Sequence, residues 1–233
     1  FIVVNGGSGP VTISSPILVS DLGENQQDFI INNSSSTLTI ENLDFGAYTV
    51  NPSATAIRRI NLEANGSGAV TLDGAYTTSA GHGGSFVFNG GNTYNITSNA
   101  DFSNFNGGGN AFAMYGSTLN ISNSTFTAAQ TISFGSATAE SVVNLQGAQT
   151  IKLAVYDSTK NSGTRASDGV NITGGVTFNQ STANLSSWTG SVNQDGSNVV
   201  LGAVTGGRLN FSGNLAGDSP TGLIKTGAGT VVL

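Results

Sequence analysis

A short phrase repeats along this chain and limits what it can fold into. Thr118–Phe126 reads Thr-Leu-Asn-Ile-Ser-Asn-Ser-Thr-Phe, and Thr37–Phe45 reads Thr-Leu-Thr-Ile-Glu-Asn-Leu-Asp-Phe. Looser copies lie at Thr93–Phe102 and Val170–Phe178. Within the phrase, Leu119 and Ile121 point one way and Asn120 and Ser122 the other, the period of a half-buried strand. The isoleucines Ile40, Ile96, Ile121 and Ile172 stand about 56, 25 and 51 residues apart, so the long gaps are near twice the short one. Apolar strands fill both gaps, at Ala69–Leu72 and Val142–Leu145, and the series continues at Asn198–Leu201 and Gly222–Lys225. A period of about 24–28 residues therefore runs through the chain, and periods of that size belong to solenoids, propellers and arrays.

Composition selects among these. Gly and Asn are too dense for helical repeats, and no stretch keeps apolar residues at i, i+3, i+4, i+7. A propeller blade needs about 40–50 residues. Two or three short strands per period suit an all-β solenoid, in which each coil covers the inward side chains of the next. Short strands are expected at Val11–Ile13, Ile17–Val19, Asp28–Ile31, Ile57–Leu62, Ser85–Phe88, Ala111–Met114, Thr131–Phe134, Ile151–Val155 and Arg208–Phe211. About nine coils at roughly 4.8 Å give a rod of about 45 Å. Leu38, Ile40 and Phe45 face inward in one coil, and Leu119, Ile121 and Phe126 in another. Asn42, Asn99 and Asn123, just past their strands, are placed to bond along the stack.

Two stretches break the pattern and read as loops: the polar run Asp157–Asp168, with Lys160 and Arg165, and Thr77–Gly84, with the one histidine. Gly90, Gly91, Gly107–Gly109 and Asn110 mark wider turns. The chain opens in one strand and stops in another, and its start lacks the basic and apolar segments of a signal peptide. We expect one β-solenoid segment over residues 1–233, a piece of a longer surface protein.

Charge excludes several partners. Charged residues are 9% of the chain, against about a quarter in ordinary domains, and the net charge is -6. The 7 scattered Lys and Arg form no basic stripe, so no nucleic acid is expected. No run reaches the roughly 18 apolar residues of a membrane helix. Cysteine is absent, as in many surface proteins that cross an envelope unfolded.

Thr221–Leu233 reads Thr-Gly-Leu-Ile-Lys-Thr-Gly-Ala-Gly-Thr-Val-Val-Leu. It resembles the autotransporter-associated β-strand repeat at Gly222, Leu223, Lys225, Gly227, Gly229, Val231 and Leu233, with Val231 where Leu is commoner. The other coils look like the Gly/Asn/Ser-rich passengers of that group. The resemblance implies a right-handed parallel β-helix, here a β-solenoid with about 24–28 residues per coil, on a bacterial surface or secreted. The family's motif usually recurs and leads to a membrane barrel, and this chain shows neither.

Candidate chemistry is sparse. Gly81-His82-Gly83 is similar to the Gly-His-Gly of polygalacturonase-like β-helix hydrolases, but their Asp-Asp pair and Arg-x-Lys are missing. Asn42-Leu-Asp44 belongs to the repeated phrase. Asp73, Asp168, Asp195 and Asp218 stand beside Gly or Ser, which is turn chemistry. One histidine and no cysteine argue against a transition-metal site. Asn-x-Ser/Thr sequons such as Asn95, Asn120 and Asn210 follow from composition. Trp188, Tyr94, Tyr115 and Phe105 form a sugar-stacking platform if outward and part of the core if inward.

The expectation is a non-catalytic extracellular or cell-surface solenoid serving adhesion, aggregation or as a stalk. It has no catalytic residues, cofactor or metal, and its partners are surface glycans or copies of itself. A filament or sheath subunit, and a polysaccharide hydrolase or lyase, are the alternatives.

Overall fold

The computed structural model describes residues 2–7, 9–19, 27–46, 57–78, 83–89, 91–106, 111–122, 131–134, 141–147, 150–151, 154–157, 176–180, 183, 185–188, 192–193, 199–212, 215–216 and 223–233. Among them are strands and no helix, so no helix is long and apolar enough to cross a membrane. Every described strand pairing is parallel. The architecture is a β-solenoid.

Three sheets form its sides. The first stacks β1 (Ile2–Val4), β4 (Gln27–Asn32), β6 (Ile57–Ala64), β8 (Gly83–Asn89), β10 (Phe112–Tyr115), β12 (Thr131–Phe134), β15 (Ala154–Asp157), β18 (Val192–Asn193) and β21 (Leu215–Ala216). The second stacks β2 (Val11–Ile13), β5 (Leu38–Phe45), β7 (Val70–Thr78), β9 (Thr93–Ile96), β11 (Thr118–Ser122), β13 (Ser141–Gln146), β16 (Val176–Gln180), β19 (Val199–Ala203) and β22 (Leu223–Thr226). Beside β5 lies the short β3 (Ile17–Leu18). The third sheet holds β14 (Thr150–Ile151), β17 (Leu185–Trp188), β20 (Arg208–Phe211) and β23 (Thr230–Val232).

Strand register explains the repeat. Leu72, Ile96, Ile121 and Leu145 stand opposite one another on successive rungs, in steps of 24, 25 and 24 residues. The step from Ile40 to Leu72 is 32, longer than expected. From Leu145 to Gln180 it is 35, and from Gln180 to Ala203 it returns to 23. The fourth copy of the phrase is therefore corrected. Ile172 lies outside the described residues, and the strand on β13 is Val176–Gln180, with Phe178 opposite Val143.

Other expectations shift as well. Asp157 closes β15, and the rest of the Asp157–Asp168 run lies outside the described residues, within the long step. Thr77–Thr78 and Gly83–Gly84, expected as loop, belong to β7 and β8. Ile151–Val155, expected as one strand, is divided between β14 on the third sheet and β15 on the first.

The core is a set of columns. Leu38, Val70, Tyr94, Leu119 and Val143 stack inward on the second sheet, beside Ile40, Leu72, Ile96, Ile121 and Leu145. All ten are buried, and burying each aliphatic side chain contributes about 2 kcal/mol. On the first sheet Ile60, Phe86, Phe112 and Ile132 form one column and Leu62, Phe88 and Met114 another. Phe86 and Phe112 stack at 6.3 Å between ring centres, as neighbouring rungs require.

The corner after the second sheet is made by a register break. Ile40 faces Leu72, but Asn42 faces Ala75, so Asp73 and Gly74 together oppose Glu41. A Cβ on Gly74 would lie 1.6 Å from the Glu41 carbonyl oxygen, so only glycine fits. Beyond this bulge, Asn42–Phe45 pairs with Ala75–Thr78 and supplies the third side of the early coils. Phe45, Tyr76, Phe102 and Phe105 fill the interior there, with Tyr76 and Phe102 stacked at 4.7 Å. In the last coil Gly227 turns the corner at φ +71°, and its Cβ would meet the Ala203 carbonyl oxygen at 2.3 Å. Coil-to-coil packing thus accounts for this glycine of the Thr221–Leu233 phrase.

Candidate functional site

The outward face of the second sheet carries a line of bonded side chains. The Asn95 amide donates to Thr71 Oγ1 (3.1 Å), Asn120 donates to Asn95 Oδ1 (2.9 Å), and Asn144 donates to Asn120 Oδ1 (2.9 Å). Register places these residues directly opposite one another, one per rung. Each sits one position before the inward anchor of its strand, so strand alternation turns it outward. An asparagine amide has two N–H donors and a carbonyl with two lone pairs. The ladder uses one of each on Asn95 and Asn120. Both are half-buried.

Flanking columns are uncharged over these rungs. Thr93, Thr118 and Val142 lie on one side, and Ser122 and Gln146 on the other, with Ser122 Oγ donating to Gln146 Oε1 (2.9 Å). Toward the earlier coils the face gains a carboxylate. Asp73 Oδ1 accepts from Thr97 Oγ1 and from the Asn99 amide (3.2 Å).

A second ladder runs along the turn between the first and second sheets. Asn65 donates to Asn33 (3.2 Å) and Asn33 to Asn5 (2.8 Å), all three exposed. Beneath it the fully buried Asn32 donates to the carbonyls of Ser36, Gly68 and Ala69 and accepts from Ser34. In both ladders, donors on a later coil bond acceptors on the earlier one.

Two buried tyrosines close gaps in the backbone ladder. At the bulge, the Tyr76 hydroxyl donates to the Ile40 carbonyl and accepts from the Asp73 N–H (2.9 Å). Burial pushes its ionisation above the usual tyrosine range, against the pull of the Asp73 and Gly74 backbone groups. The Tyr94 hydroxyl accepts from the Ala64 N–H (3.2 Å) and offers its proton to the carbonyls of Leu62 and Asn89. Burial pushes Tyr94 up to about 12. Both hydroxyls stay protonated at neutral pH and serve as hydrogen-bond bridges.

Of the two readings of the aromatic set, the core one holds for Tyr94 and Phe105. Tyr115 is half-buried at the end of β10. The side chain of Trp188 lies outside the described residues. So do His82, Asn123, Phe126, Asp168, Asp195 and Asp218. Asn42 lies within β5, not past it, and still bonds along the stack, to the Ser14 carbonyl (3.1 Å). In the same strand Asp44 accepts from Thr77 Oγ1 (2.9 Å). Asp73 lies in the strand bulge and not in a loop turn. Among the described residues no three His, Asp or Glu side chains are grouped to hold a metal ion. The amide ladder was readable as an Asn or Thr fixed one residue before each anchor. The buried roles of Asn32 and Tyr76 have no such signal, because they depend on neighbouring coils.

No protein-family model matches the chain, and neither does any curated protein or solved structure.

Proposed function

We propose that the chain is a non-catalytic segment of an extracellular bacterial surface protein, a stiff stalk whose sparsely charged outer face serves adhesion or aggregation. The ladder from Thr71 to Asn144 carries this reading. It commits outward polar side chains to bonds between coils, which stiffens the stack along its axis while the strip over β9, β11 and β13 stays polar and uncharged. The autotransporter-like phrase ending at Leu233 supports surface export by the same kind of route.

The carboxylates favour structure over chemistry. Glycoside hydrolysis needs two carboxyl groups about 5–10 Å apart, facing one substrate. The Asp73 carboxylate instead ties Thr97 and Asn99 to its own coil, and Asp44 ties Thr77. The test is antibody labelling of intact, unpermeabilised cells that make the protein. Labelling lost on brief external proteolysis is expected. Labelling only after permeabilisation would contradict the proposal.

A further inference from the structure

We infer that the outward strip of the second sheet over β9, β11 and β13 docks an extended, neutral polysaccharide laid along the solenoid axis. This rests on the stalk reading and names the partner of its polar face. Three features lead to it.

The first is access. On β8 and β10, in the coils of β9 and β11, the outward side of the first sheet is largely closed, with Ser85 1%, Val87 6% and Ala113 8% exposed and Asn89 and Tyr115 half-buried at the strand ends. On the second sheet Thr93 is exposed, and Thr118, Asn95, Asn120 and Ser122 are half-exposed. The more open side is the one carrying the ladder.

The second is charge. Over these three rungs the strip presents hydroxyls and amides and no ionised group. A polyanion finds no cation there to pair with, and a polycation finds no carboxylate. A protein partner would need an apolar centre to exclude water, and Val142 is the one apolar side chain in the strip. Neutral hydroxyl groups match such a surface.

The third is period. The donors and acceptors left over on Asn95 and Asn120 recur once per rung, about every 4.8 Å. A repeating polymer uses such a row in successive units, whereas a small ligand uses one rung of it. Each contact is weak, and several together give useful retention by effective concentration.

The experiment uses the full chain and sedimentation with insoluble cellulose, xylan and mannan, alongside anionic pectate gel. Thr93→Glu and Thr118→Glu place a carboxylate on the strip without removing a ladder amide. Asn33→Ala, on the other ladder, is the control. Unchanged melting and circular dichroism show which variants fold. Retention on at least one neutral polymer is expected, weakened tenfold or more in the folded glutamate variants and unchanged in Asn33→Ala. Retention on pectate alone, retention indifferent to both glutamates, or none at all overturns the inference. So does self-association abolished by the glutamates, which would make the partner a second copy. Cell-surface labelling needs no polysaccharide, so the stalk reading and this one fail separately.

Discussion

The hydroxyl of Tyr76 lies 2.5 Å from the carbonyl oxygen of Ile40, one coil earlier in the stack. The bond spans the place where Asp73 and Gly74 interrupt the register of the second sheet, and the same hydroxyl accepts the Asp73 N–H. A buried aromatic residue thus supplies the partners that a bulge takes from the backbone.

Tyr76→Phe keeps the ring and removes the bridge. A buried carbonyl and a partly buried N–H lose their partner, and leaving such groups unsatisfied costs about 1–3 kcal/mol each at most. Denaturant unfolding should show a loss of about 2 kcal/mol with little change in the slope. A loss below about 0.5 kcal/mol would mean that water or a rearranged bulge replaces the hydroxyl.

Alkali should act through the same residues. Tyr76 and Tyr94 ionise above the ordinary tyrosine value in the folded chain, Tyr94 at about 12. Their contribution is therefore complete below about pH 10, the unfolded value, and is lost as pH rises through the folded one. Melting temperature should fall steeply between about pH 10 and 12, and less steeply in Tyr94→Phe. Parallel falls in both proteins would contradict this role.

Gly74→Ala should be far worse than its one carbon suggests. The added Cβ would overlap the Glu41 carbonyl, whereas at Gly91 nothing lies within 4 Å. Gly74→Ala is expected to cost about 3 kcal/mol or more, in the range of severe single substitutions, and Gly91→Ala to stay within about 0.5 kcal/mol. Thermal melts of the pair read the contrast directly.

Asn120→Asp tests the ladder and its direction. A carboxylate only accepts hydrogen bonds, so it still receives from Asn144 but faces Asn95 Oδ1 with no proton to donate. The half-exposed site limits the cost to about 1 kcal/mol at pH 7. The folded carboxyl is then held above its unfolded value of about 3.9. Its bond to Asn95 is present below that value and lost as pH rises through the folded one. The gap in stability between variant and parent should narrow below about pH 4. A constant gap would remove the ladder from the account.

Much of the fold is legible in the sequence because coil stacking repeats its demands. Ile40, Ile96 and Ile121 occupy equivalent inward positions, so alternation and spacing find them together. Ile172 misled for a physical reason. In a chain rich in Asn, Thr and Val, a four-residue match is common, and only pairing with β13 selects Val176–Gln180. The split at Ile151–Val155 was hidden because apolar residues lie at the adjoining ends of both strands, Ile151 in β14 and Ala154 and Val155 in β15. At the candidate site, Asn95, Asn120 and Asn144 were readable as a polar row. Their mutual bonds were not, since those depend on register to within one residue. Tyr94 could be read as either surface or core from its type alone, and the carbonyls of Leu62 and Asn89 decide for the core.

The coils form a single stack in which each rung adds one strand spacing, and distances along one outward column read that spacing out. Thr12, Thr39, Thr71, Asn95, Asn120, Asn144, Asn179, Gly202 and Thr226 occupy one register column. The chain has no cysteine, so pairs of introduced cysteines can carry spin labels. With Thr12→Cys as the common partner, Asn120→Cys, Asn144→Cys and Thr226→Cys should give backbone separations near 19, 24 and 38 Å, at about 4.8 Å per rung. Separations rising linearly with rung number are the predicted result. Distances that ignore rung number, or a Thr12–Thr226 pair no farther apart than Thr12–Asn120, would contradict the stack.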